Sequence, residues 1–249
     1  QQPSPVFIEP DFNKRYRKGE TDVKLLIDSA DIVKIKKIYR LYPIDGVTTN
    51  PTILSKEGGD VLSLLREIRK IIGYNKELHV QVTETDYESI IEEADAIVSF
   101  LGKNTFVKIP ATAVGLKATK TLSERGFGIT ATSILTATQA LLASNAGAAY
   151  VAPYVSRLEN INADGIGTVA DIARIFKTAG STTQILAASF KTAKEVLDVA
   201  TVGCHAATVG TDIMHRLVSH PTIDTSLAAF RDDWKRAFGD TTLLKLLKK

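Results

Sequence analysis

The chain has 249 residues, of which 44% are hydrophobic and 24% are charged. This composition is ordinary for a globular protein with a sizeable core, and about 250 residues suffice for one barrel domain. The 31 basic and 28 acidic side chains give a net charge of +3, which does not favour nucleic acid as a main partner. Because Cys204 is the single cysteine, an intramolecular disulfide and a zinc site built on cysteines are both excluded.

No membrane or metal partner is expected from the sequence. No apolar run approaches the roughly 20 residues that span a bilayer. Residues 1–22 are Pro-rich and charged and lack the apolar stretch of a signal peptide, so we expect a cytoplasmic protein. We interpret residues 1–22 as an N-terminal extension of unknown role and residues 23–249 as one domain. None of the four histidines belongs to a paired metal-binding motif, so structural or surface roles are expected for them. They are His79, His205, His215 and His220.

From residue 23 onward, short β-rich runs alternate with longer helical patterns, which predicts βαβ units around a parallel sheet. The strands are predicted at Val23–Asp28, a short run that ends in Gly46–Pro51, Leu78–Val82, Thr105–Ile109, Gly128–Thr132, Ala149–Tyr154, Gln184–Ala188 and Ala206–Val209. The first helix, which follows the first of these strands, is predicted to end at Tyr39. The later helices are predicted at Val61–Ile72, Tyr87–Phe100, Gly115–Arg125, Leu135–Ala146, Val169–Thr178 and Thr192–Ala200. Eight such units in one unbroken chain favour a single-domain (β/α)8 TIM barrel of the α/β class. An open doubly wound sheet is the alternative.

The tail from Phe230 to Lys249 is amphipathic and contains Trp234 and the run Leu243–Leu247. Two interpretations remain open. The tail either forms a last helix packed on its own barrel or docks on a neighbouring subunit.

The chemistry of a barrel enzyme lies at the carboxyl ends of its strands. Nearly every predicted strand ends in a side chain that donates or accepts a hydrogen bond, and such residues in register around one rim would line a pocket. They are Asp28, Thr48 with Asn50, Gln81, Lys108, Thr132, Tyr154 with Arg157, and Ser189.

Lys108 lies in an apolar strand whose neighbours should be buried. Lysine is almost never fully buried without a partner, and burial lowers its pKa by disfavouring the ammonium form. The resulting neutral amine is the nucleophile that forms an imine with a ketone. The alternative is a lysine whose stem packs while its amine reaches solvent or pairs with Asp28.

Asp28, at the end of the first predicted strand, also has two interpretations. It either caps the helix that begins near Ala30, for which Ser29 is equally suited, or serves the site. In the site it would orient a substrate hydroxyl or pair with the amine of Lys108.

Asn50 and Gln81 are polar residues whose sequence neighbours also allow a structural role. Asn50 precedes Pro51, so a plain turn is a credible role for it. Gln81 stands between Val80 and Val82 in a run suited to the core. A buried glutamine requires partners at both ends of its amide, and a water in the site is one candidate.

Tyr154 and Arg157 bring a phenol and a guanidinium to the end of the sixth strand. The arginine fork suits a phosphate, and Ser189 adds a donor at the end of the seventh strand. That strand also leads into a helix whose first amides attract anions. A surface salt bridge is the alternative for Arg157.

Four segments in matching order resemble the small transaldolase family, and within it the fructose-6-phosphate aldolase branch. They are Gly46–Thr52, Val107–Pro110, Ala152–Val155 and Ala187–Lys191. The resemblance extends from about residue 23 to residue 239, and residues 1–22 have no counterpart in it. It implies the TIM barrel, no metal or organic cofactor, and a homo-oligomer built as a pentamer or decamer.

The resemblance also implies a task for each rim residue. The imine-forming lysine is matched by Lys108, and the phosphate-binding pair by Arg157 and Ser189. The residues that hold substrate hydroxyls and assist proton movement are matched by Asp28, Thr48 and Asn50. The group that holds the catalytic water and relays protons is matched by Gln81, Thr132 and Tyr154.

The implied reaction is class I (Schiff-base) aldol cleavage of fructose 6-phosphate to dihydroxyacetone and glyceraldehyde 3-phosphate. The alternative is a transaldolase of the pentose phosphate pathway, which moves the dihydroxyacetone unit between sugar phosphates. Gln81 and Tyr154 are of the aldolase type, since transaldolases usually carry glutamate and phenylalanine there. The chain departs from the family at Ser29, at Thr132–Leu135 and at Val209–Thr211, which leaves substrate size and acceptor preference open. Two rivals remain: a barrel enzyme that uses acid–base chemistry alone, and a sugar-phosphate-binding protein without activity.

Overall fold

The structure is a computed structural model that describes residues 23–248. The predicted N-terminal extension, residues 1–22, lies outside the described residues. The strands are β1 Lys24–Asp28, β2 Gly46–Thr48, β3 Glu77–Gln81, β4 Thr105–Pro110, β5 Gly128–Ile134, β6 Tyr150–Pro153, β7 Gln184–Ala187 and β8 Ala206–Val209. The helices are α1 Ile32–Leu41, α2 Pro51–Glu57, α3 Val61–Ile72, α4 Tyr87–Leu101, α5 Ala113–Glu124, α6 Ala137–Asn145, α7 Val155–Glu159, α8 Gly165–Ala179, α9 Ala193–Thr201, α10 Thr211–Arg216, α11 Pro221–Phe238 and α12 Leu243–Leu247.

The eight strands form a closed barrel in sequence order, and every neighbouring pair is parallel. β8 closes the ring on β1 by pairing Ala206 with Lys24 and Val209 with Ile27. The predicted TIM barrel is therefore confirmed, and the open-sheet alternative is wrong.

Strand alternation divides the core into two zones, because successive side chains point to opposite faces. Outward-facing strand residues are apolar and lie against the surrounding helices, where they have no exposed surface. Examples are Ile27, Val47, Leu78, Val107, Ile129, Val151 and Ile185. Sheets that are buried on both faces need such apolar strands, which is why the runs were readable in the sequence.

The amino-terminal half of the barrel interior holds a polar cluster around Glu77. Lys24 Nζ lies 2.7 Å from Glu77 Oε1 and 2.6 Å from the Tyr150 hydroxyl. His79 is fully buried, lies 3.3 Å from Glu77 Oε2 and stacks on Phe106 at 4.7 Å between ring centroids. Burial opposes ionisation of Glu77, but hydrogen bonds from His79 and Lys24 lower its pKa to about 2. The cluster satisfies its own polar groups, so His79 has the structural role that was expected for it.

Several element boundaries differ from the predictions for local reasons. The second predicted run ends early because Asn50 caps α2, its Oδ1 accepting from the Ile53 amide, with Pro51 in the first helical turn. Helix α8 begins at Gly165, four residues before its predicted start. A Cβ at Gly165 would lie 2.6 Å from the Val155 carbonyl oxygen, so the close packing of α8 on α7 requires glycine.

The tail does not pack on its own barrel, so that interpretation is wrong. It forms two helices, α11 and α12, and no residue of either is buried. The apolar side chains of α11 recur every three to four residues and form one face. They include Ile223, Leu227, Phe230 and Phe238, which are 44–68% exposed.

Candidate active site

A cavity of about 110 Å³ opens at the carboxyl ends of the strands, as expected for a barrel enzyme. Eight of the nine predicted site residues line it. They are Asp28, Thr48, Asn50, Lys108, Thr132, Tyr154, Arg157 and Ser189. The ninth, Gln81, pairs in register with Lys108 on the neighbouring strand, so its side chain points to the inner face without lining this cavity.

Lys108 is only 6% exposed, so its amine does not reach bulk solvent. Its Nζ donates to the Thr49 carbonyl oxygen at 2.7 Å. Burial lowers the pKa of Lys108, opposed by the charges of Asp28 and Tyr154, and nearby Arg157 lowers the pKa further. A larger share of the amine is therefore neutral than in an exposed lysine, and a neutral amine is a nucleophile for carbonyl carbon.

Asp28 accepts a hydrogen bond from Thr48 Oγ1 at 2.7 Å. The interpretation of Asp28 or Ser29 as a helix cap is wrong, because Asp31 caps α1 by accepting from the Lys34 amide. Burial raises the pKa of Asp28, while Lys108, the Thr48 hydrogen bond and the charge of Arg157 act against that rise. A carboxyl group held in this way is suited to exchange protons with a substrate hydroxyl.

Thr208 on β8 is a site residue that the sequence analysis missed. It is 3% exposed, lines the cavity and lies 2.6 Å from Thr48 Oγ1. Because Thr48 donates to Asp28, Thr208 donates to Thr48, and the three groups form a chain. The signal in the sequence is weak: Thr208 is the one polar residue of an otherwise apolar strand, but threonine is common in strands.

Tyr154 presents its hydroxyl to the cavity from the end of β6. The hydroxyl lies 2.8 Å from Thr132 Oγ1, and the guanidinium of Arg157 covers the ring at 4.3 Å from its centroid. Arg157 is exposed, and no carboxylate in residues 23–248 pairs with it, so the salt-bridge alternative is not observed. The guanidinium fork at the rim is thus available to an anion.

Ser189 lines the same rim with a left-handed backbone, φ 63°. At the start of the helix that follows, two backbone amides are already paired with Glu195. Glu195 accepts from the amides of Lys191 and Thr192 at 2.7 and 2.9 Å, and from the Ser156 hydroxyl at 2.9 Å. Arg157 and Ser189 are the two predicted phosphate-binding side chains that line this rim.

A second cavity, of about 640 Å³, lies at the opposite end of the barrel and is lined by Lys24, Glu77 and Tyr150 among others. It is larger, but its charged groups are already paired with one another, and it holds no group with the reactivity of Lys108. Between residues 23 and 248, no three His, Cys, Asp or Glu side chains cluster so as to hold a metal ion. No helix in that range is both long and apolar enough to cross a membrane.

The closed barrel and the cavity define a barrel enzyme whose reactive groups are a buried amine, a carboxyl group and a phenol. The family model described as Transaldolase/Fructose-6-phosphate aldolase matches residues 25–243. The chain belongs to this family, and it is an aldolase or transaldolase enzyme.

Relatives in this family carry both names. The chain is 38% identical over 213 residues to the "Probable fructose-6-phosphate aldolase" of Streptococcus pneumoniae, covering 85% of this chain and 96% of the relative. It is 40% identical over 215 residues to a "Probable transaldolase" of Thermoanaerobacter sp., covering 86% and 98%. It is 41% identical over 216 residues to the "Probable transaldolase" of Clostridium acetobutylicum, covering 87% and 99%. The matches support membership of the family but do not distinguish aldolase from transaldolase activity.

Proposed function

We propose that the protein is a class I aldolase that cleaves fructose 6-phosphate through a Schiff base on Lys108. The observation that carries the proposal is the buried amine, whose pKa is lowered and which shares one cavity with Asp28 and Tyr154. All groups that the reaction needs are side chains of this chain, so the proposal requires no metal or organic cofactor.

In the first half of the reaction, neutral Lys108 adds to the ketone carbon of fructose 6-phosphate. Loss of water then gives a protonated imine, which is an electron sink. Asp28 takes the proton from the hydroxyl on the fourth carbon, and the bond between the third and fourth carbons breaks. Glyceraldehyde 3-phosphate leaves, and a three-carbon enamine remains on Lys108.

In the second half, the enamine is released by proton transfer and hydrolysis. Tyr154 gives a proton to the enamine carbon, and water then attacks the imine to release dihydroxyacetone and the free amine. We assign the placement of this water to Gln81 and Thr132, which flank the lysine from β3 and β5. Thr48 and Asn50 hold the hydroxyls of the sugar, while Arg157 and Ser189 hold the phosphate at the rim.

Transaldolase activity is the second candidate, because two of the relatives described above are named as transaldolases. The two candidates share every step up to the enamine and differ in the acceptor, which is a proton in one and an aldose phosphate in the other. The combination of Gln81 and Tyr154 favours the proton. An amide does not exchange protons near neutral pH, so the phenol has to supply the proton that ends the aldolase cycle.

Two measurements test the proposal. Wild type and Lys108→Met are incubated with fructose 6-phosphate and borohydride, and intact mass is measured. A Schiff-base enzyme gains the mass of a reduced adduct on Lys108 in wild type alone, whereas an acid–base enzyme or a binding protein gains none. Products are then assayed with and without erythrose 4-phosphate. Release of dihydroxyacetone without an acceptor is expected, and sedoheptulose 7-phosphate as the main product would instead identify a transaldolase.

We also propose that the chain forms a homo-oligomer, for which a pentamer or decamer is expected. The support is the apolar face of α11, which has no cover within the described part of its own chain. A second copy of the same chain is the partner that we assign to it.

A further inference from the structure

Two short hydrogen bonds join three side chains where the barrel closes. Asp28 ends β1, Thr48 ends β2 on one side of it, and Thr208 lies in β8 on the other side. Thr48 Oγ1 donates to Asp28 Oδ1 at 2.7 Å, and the hydroxyl oxygens of Thr48 and Thr208 are 2.6 Å apart. All three residues line the cavity of the candidate active site. The carboxyl group is therefore connected directly to β2 and, through Thr48, to β8.

The register of β1 with its two neighbours brings these side chains to one face. Asp28 is paired with Thr48, and Leu26 with Thr208. Leu26 and Asp28 are two residues apart, so both point into the barrel, as do the partners in register with them. The hydrogen bond between the two threonines thus spans β1 on the inside of the barrel.

Burial fixes the direction of both hydrogen bonds. Thr48 has no exposed surface and Thr208 has almost none, so bulk water does not replace either hydroxyl as a partner. A hydroxyl group has one proton, and that of Thr48 is donated to Asp28. Thr208 is then the donor to Thr48, and without it the buried Thr48 oxygen would lose that donor.

We propose that Thr208 is a positioning residue of the active site: its hydroxyl holds the Thr48 hydroxyl in the orientation that donates to Asp28, and so keeps this carboxylate ready to act as the base. The inference rests on the proposed function in one respect, the assignment of Asp28 as the group that takes the proton from the substrate hydroxyl. Thr208 itself acts through Thr48 and needs no contact with the substrate.

The physical reason is that hydrogen bonds in a row strengthen one another. A hydroxyl that accepts a hydrogen bond is a stronger donor, so donation by Thr208 strengthens the bond from Thr48 to Asp28. A hydrogen bond to a carboxylate favours its charged form. Removal of the Thr208 hydroxyl should therefore raise the pKa of Asp28.

Other groups also act on Asp28. Burial raises the pKa of Asp28, whereas the charge of Lys108 on β4, the hydrogen bond from Thr48 and the charge of Arg157 on α7 lower it. Tyr154 faces the same cavity from the end of β6. These groups stay in place when only a hydroxyl on β8 is removed, so the contribution of that hydroxyl can be measured separately.

The direct test is infrared titration of Asp28 in the full-length protein, which needs no turnover. The carbonyl band of the protonated carboxyl group is measured as the difference from the matching Asp28→Asn background. Thr208→Val keeps the branched shape without the hydroxyl and is expected to move the midpoint to higher pH. Thr208→Ser keeps the hydroxyl and should titrate as wild type does. Thr208→Ala provides the same comparison as valine if the larger side chain prevents folding.

A double-mutant cycle tests the route through Thr48. In a Thr48→Val background, Thr208→Val should cause no further shift of the Asp28 midpoint, because the connecting hydroxyl is already gone. An unchanged midpoint in both Thr208→Val and Thr208→Ala would overturn the proposal. A shift that persists in the Thr48→Val background would overturn it as well.

The kinetic test uses the pH profile of kcat/KM for cleavage of fructose 6-phosphate. Asp28 must be ionised to act as the base, so a raised pKa moves the acid limb to higher pH. Thr208→Val should lower kcat/KM about two- to tenfold on the acid limb, the effect of one hydrogen bond, and match wild type on the plateau. Titration of the substrate phosphate is the same for every variant and does not affect the comparison.

Thr183→Val is the matched control, because it removes a buried hydroxyl just before β7 that donates to the Ala148 carbonyl at 2.8 Å. It should leave the limb in place. If Thr208→Val lowers the whole profile without moving the limb, Thr208 has only a structural role and the proposal fails. If wild type forms no borohydride adduct, the proposed function fails instead, and the infrared titration alone decides on Thr208.

Discussion

Burial of Lys108 costs free energy, because an ammonium group loses its hydration when it leaves water. The Thr49 carbonyl and the charge of Asp28 return part of this cost, yet the pKa of Lys108 remains lowered. The folded protein thus binds a proton at this lysine less readily than the unfolded chain does. This difference makes stability depend on pH at one identifiable residue.

Lys108→Met is expected to abolish turnover and leave the fold intact, because methionine fits the stem but cannot form an imine. The cost of the wild-type lysine is full below its folded-state pKa and declines as pH rises toward 10.5, its ordinary value. The variant should therefore be the more stable protein at neutral pH, by roughly 1–2 kcal/mol, and its advantage should shrink at alkaline pH. Urea unfolding at several pH values from neutral to alkaline measures this. An advantage that grew with pH would show that Lys108 is not desolvated.

Arg157→Ala should selectively weaken the binding of phosphorylated substrates. The guanidinium lies over the Tyr154 ring at the exposed rim, so solvent reduces its contribution to about 1.5 kcal/mol, or roughly a tenfold increase in KM for fructose 6-phosphate. The KM for dihydroxyacetone should hardly change. Arg174→Ala, which alters an exposed arginine paired with Asp171 on α8, serves as the control. Equal effects on both substrates would remove Arg157 from the phosphate site.

Lys108 could be recognised as a site residue from the chemistry of its sequence neighbours, whereas Thr208 could not. A lysine inside an apolar strand has few explanations, so its burial was predictable. A threonine after two alanines carries little information, because threonine is common in any strand.

At the level of elements, the register of β3 against β4 places Gln81 directly beside Lys108. A shift by one residue would turn Gln81 outward and remove it from the inner face. The buried Leu78 and Val80, which point to the helices, hold that register. The identity of one side chain on β3 can therefore influence the enamine that the proposed reaction forms on Lys108.

Gln81→Glu is expected to raise the ratio of sedoheptulose 7-phosphate formation to dihydroxyacetone release, roughly tenfold, because a carboxylate beside Lys108 exchanges protons where an amide does not. Adding Tyr154→Phe should raise the ratio further by removing the acid that protonates the enamine. Both products are measured with erythrose 4-phosphate present. Gln139→Glu, in the exposed capping box of α6, is the control. An unaltered ratio in both site variants would show that Gln81 and Tyr154 do not determine the acceptor of the enamine.

Strands and long helices were predictable, and the short elements near the site were not. The apolar runs of β4 and β6 stand out because both faces of a parallel strand are buried. Helix α2 was read as the end of a strand, although Asn50 followed by Pro51 is a known helix start. Helix α7 has five residues and no side-chain cap, so neither periodicity nor capping marked it.

At the scale of the whole molecule, the two helices of the tail have no buried residue, so the described part of the chain does not cover their apolar side chains. Helix α11 has 18 residues and none is buried. The ring of Trp234 packs at a tilt against that of Phe238, 4.6 Å between centroids, and its indole nitrogen donates to the Thr241 carbonyl. The sequence predicted an amphipathic tail correctly. It did not decide where the tail docks, because the hydrophobic effect rewards burial against any apolar surface.

The double variant Leu227→Ser, Phe230→Ser should reduce the mass of the assembly, since both side chains lie on the apolar face of α11 and are 46% and 68% exposed. Size-exclusion chromatography with light scattering measures the mass. Ala229→Ser, on the opposite face of the same helix, should leave the mass unchanged. If the double variant keeps the wild-type mass, α11 does not join the subunits.

The pairing of β1 with β8 bears on how the barrel folds as well as on its final structure. It joins Lys24 to Ala206, which are far apart in the sequence, and such distant contacts are slow to form because of the entropy of loop closure. Asp28 and Thr208 lie on the two sides of this junction, so we expect Lys108 to be hydrated and ordinarily basic until the junction closes. A newly synthesised chain therefore carries a lysine that is protonated and inert toward the carbonyl compounds around it. The reactivity that we propose for Lys108 is therefore expected only in the completed ring, so an incomplete molecule should form no adducts at the residue that the proposed reaction requires.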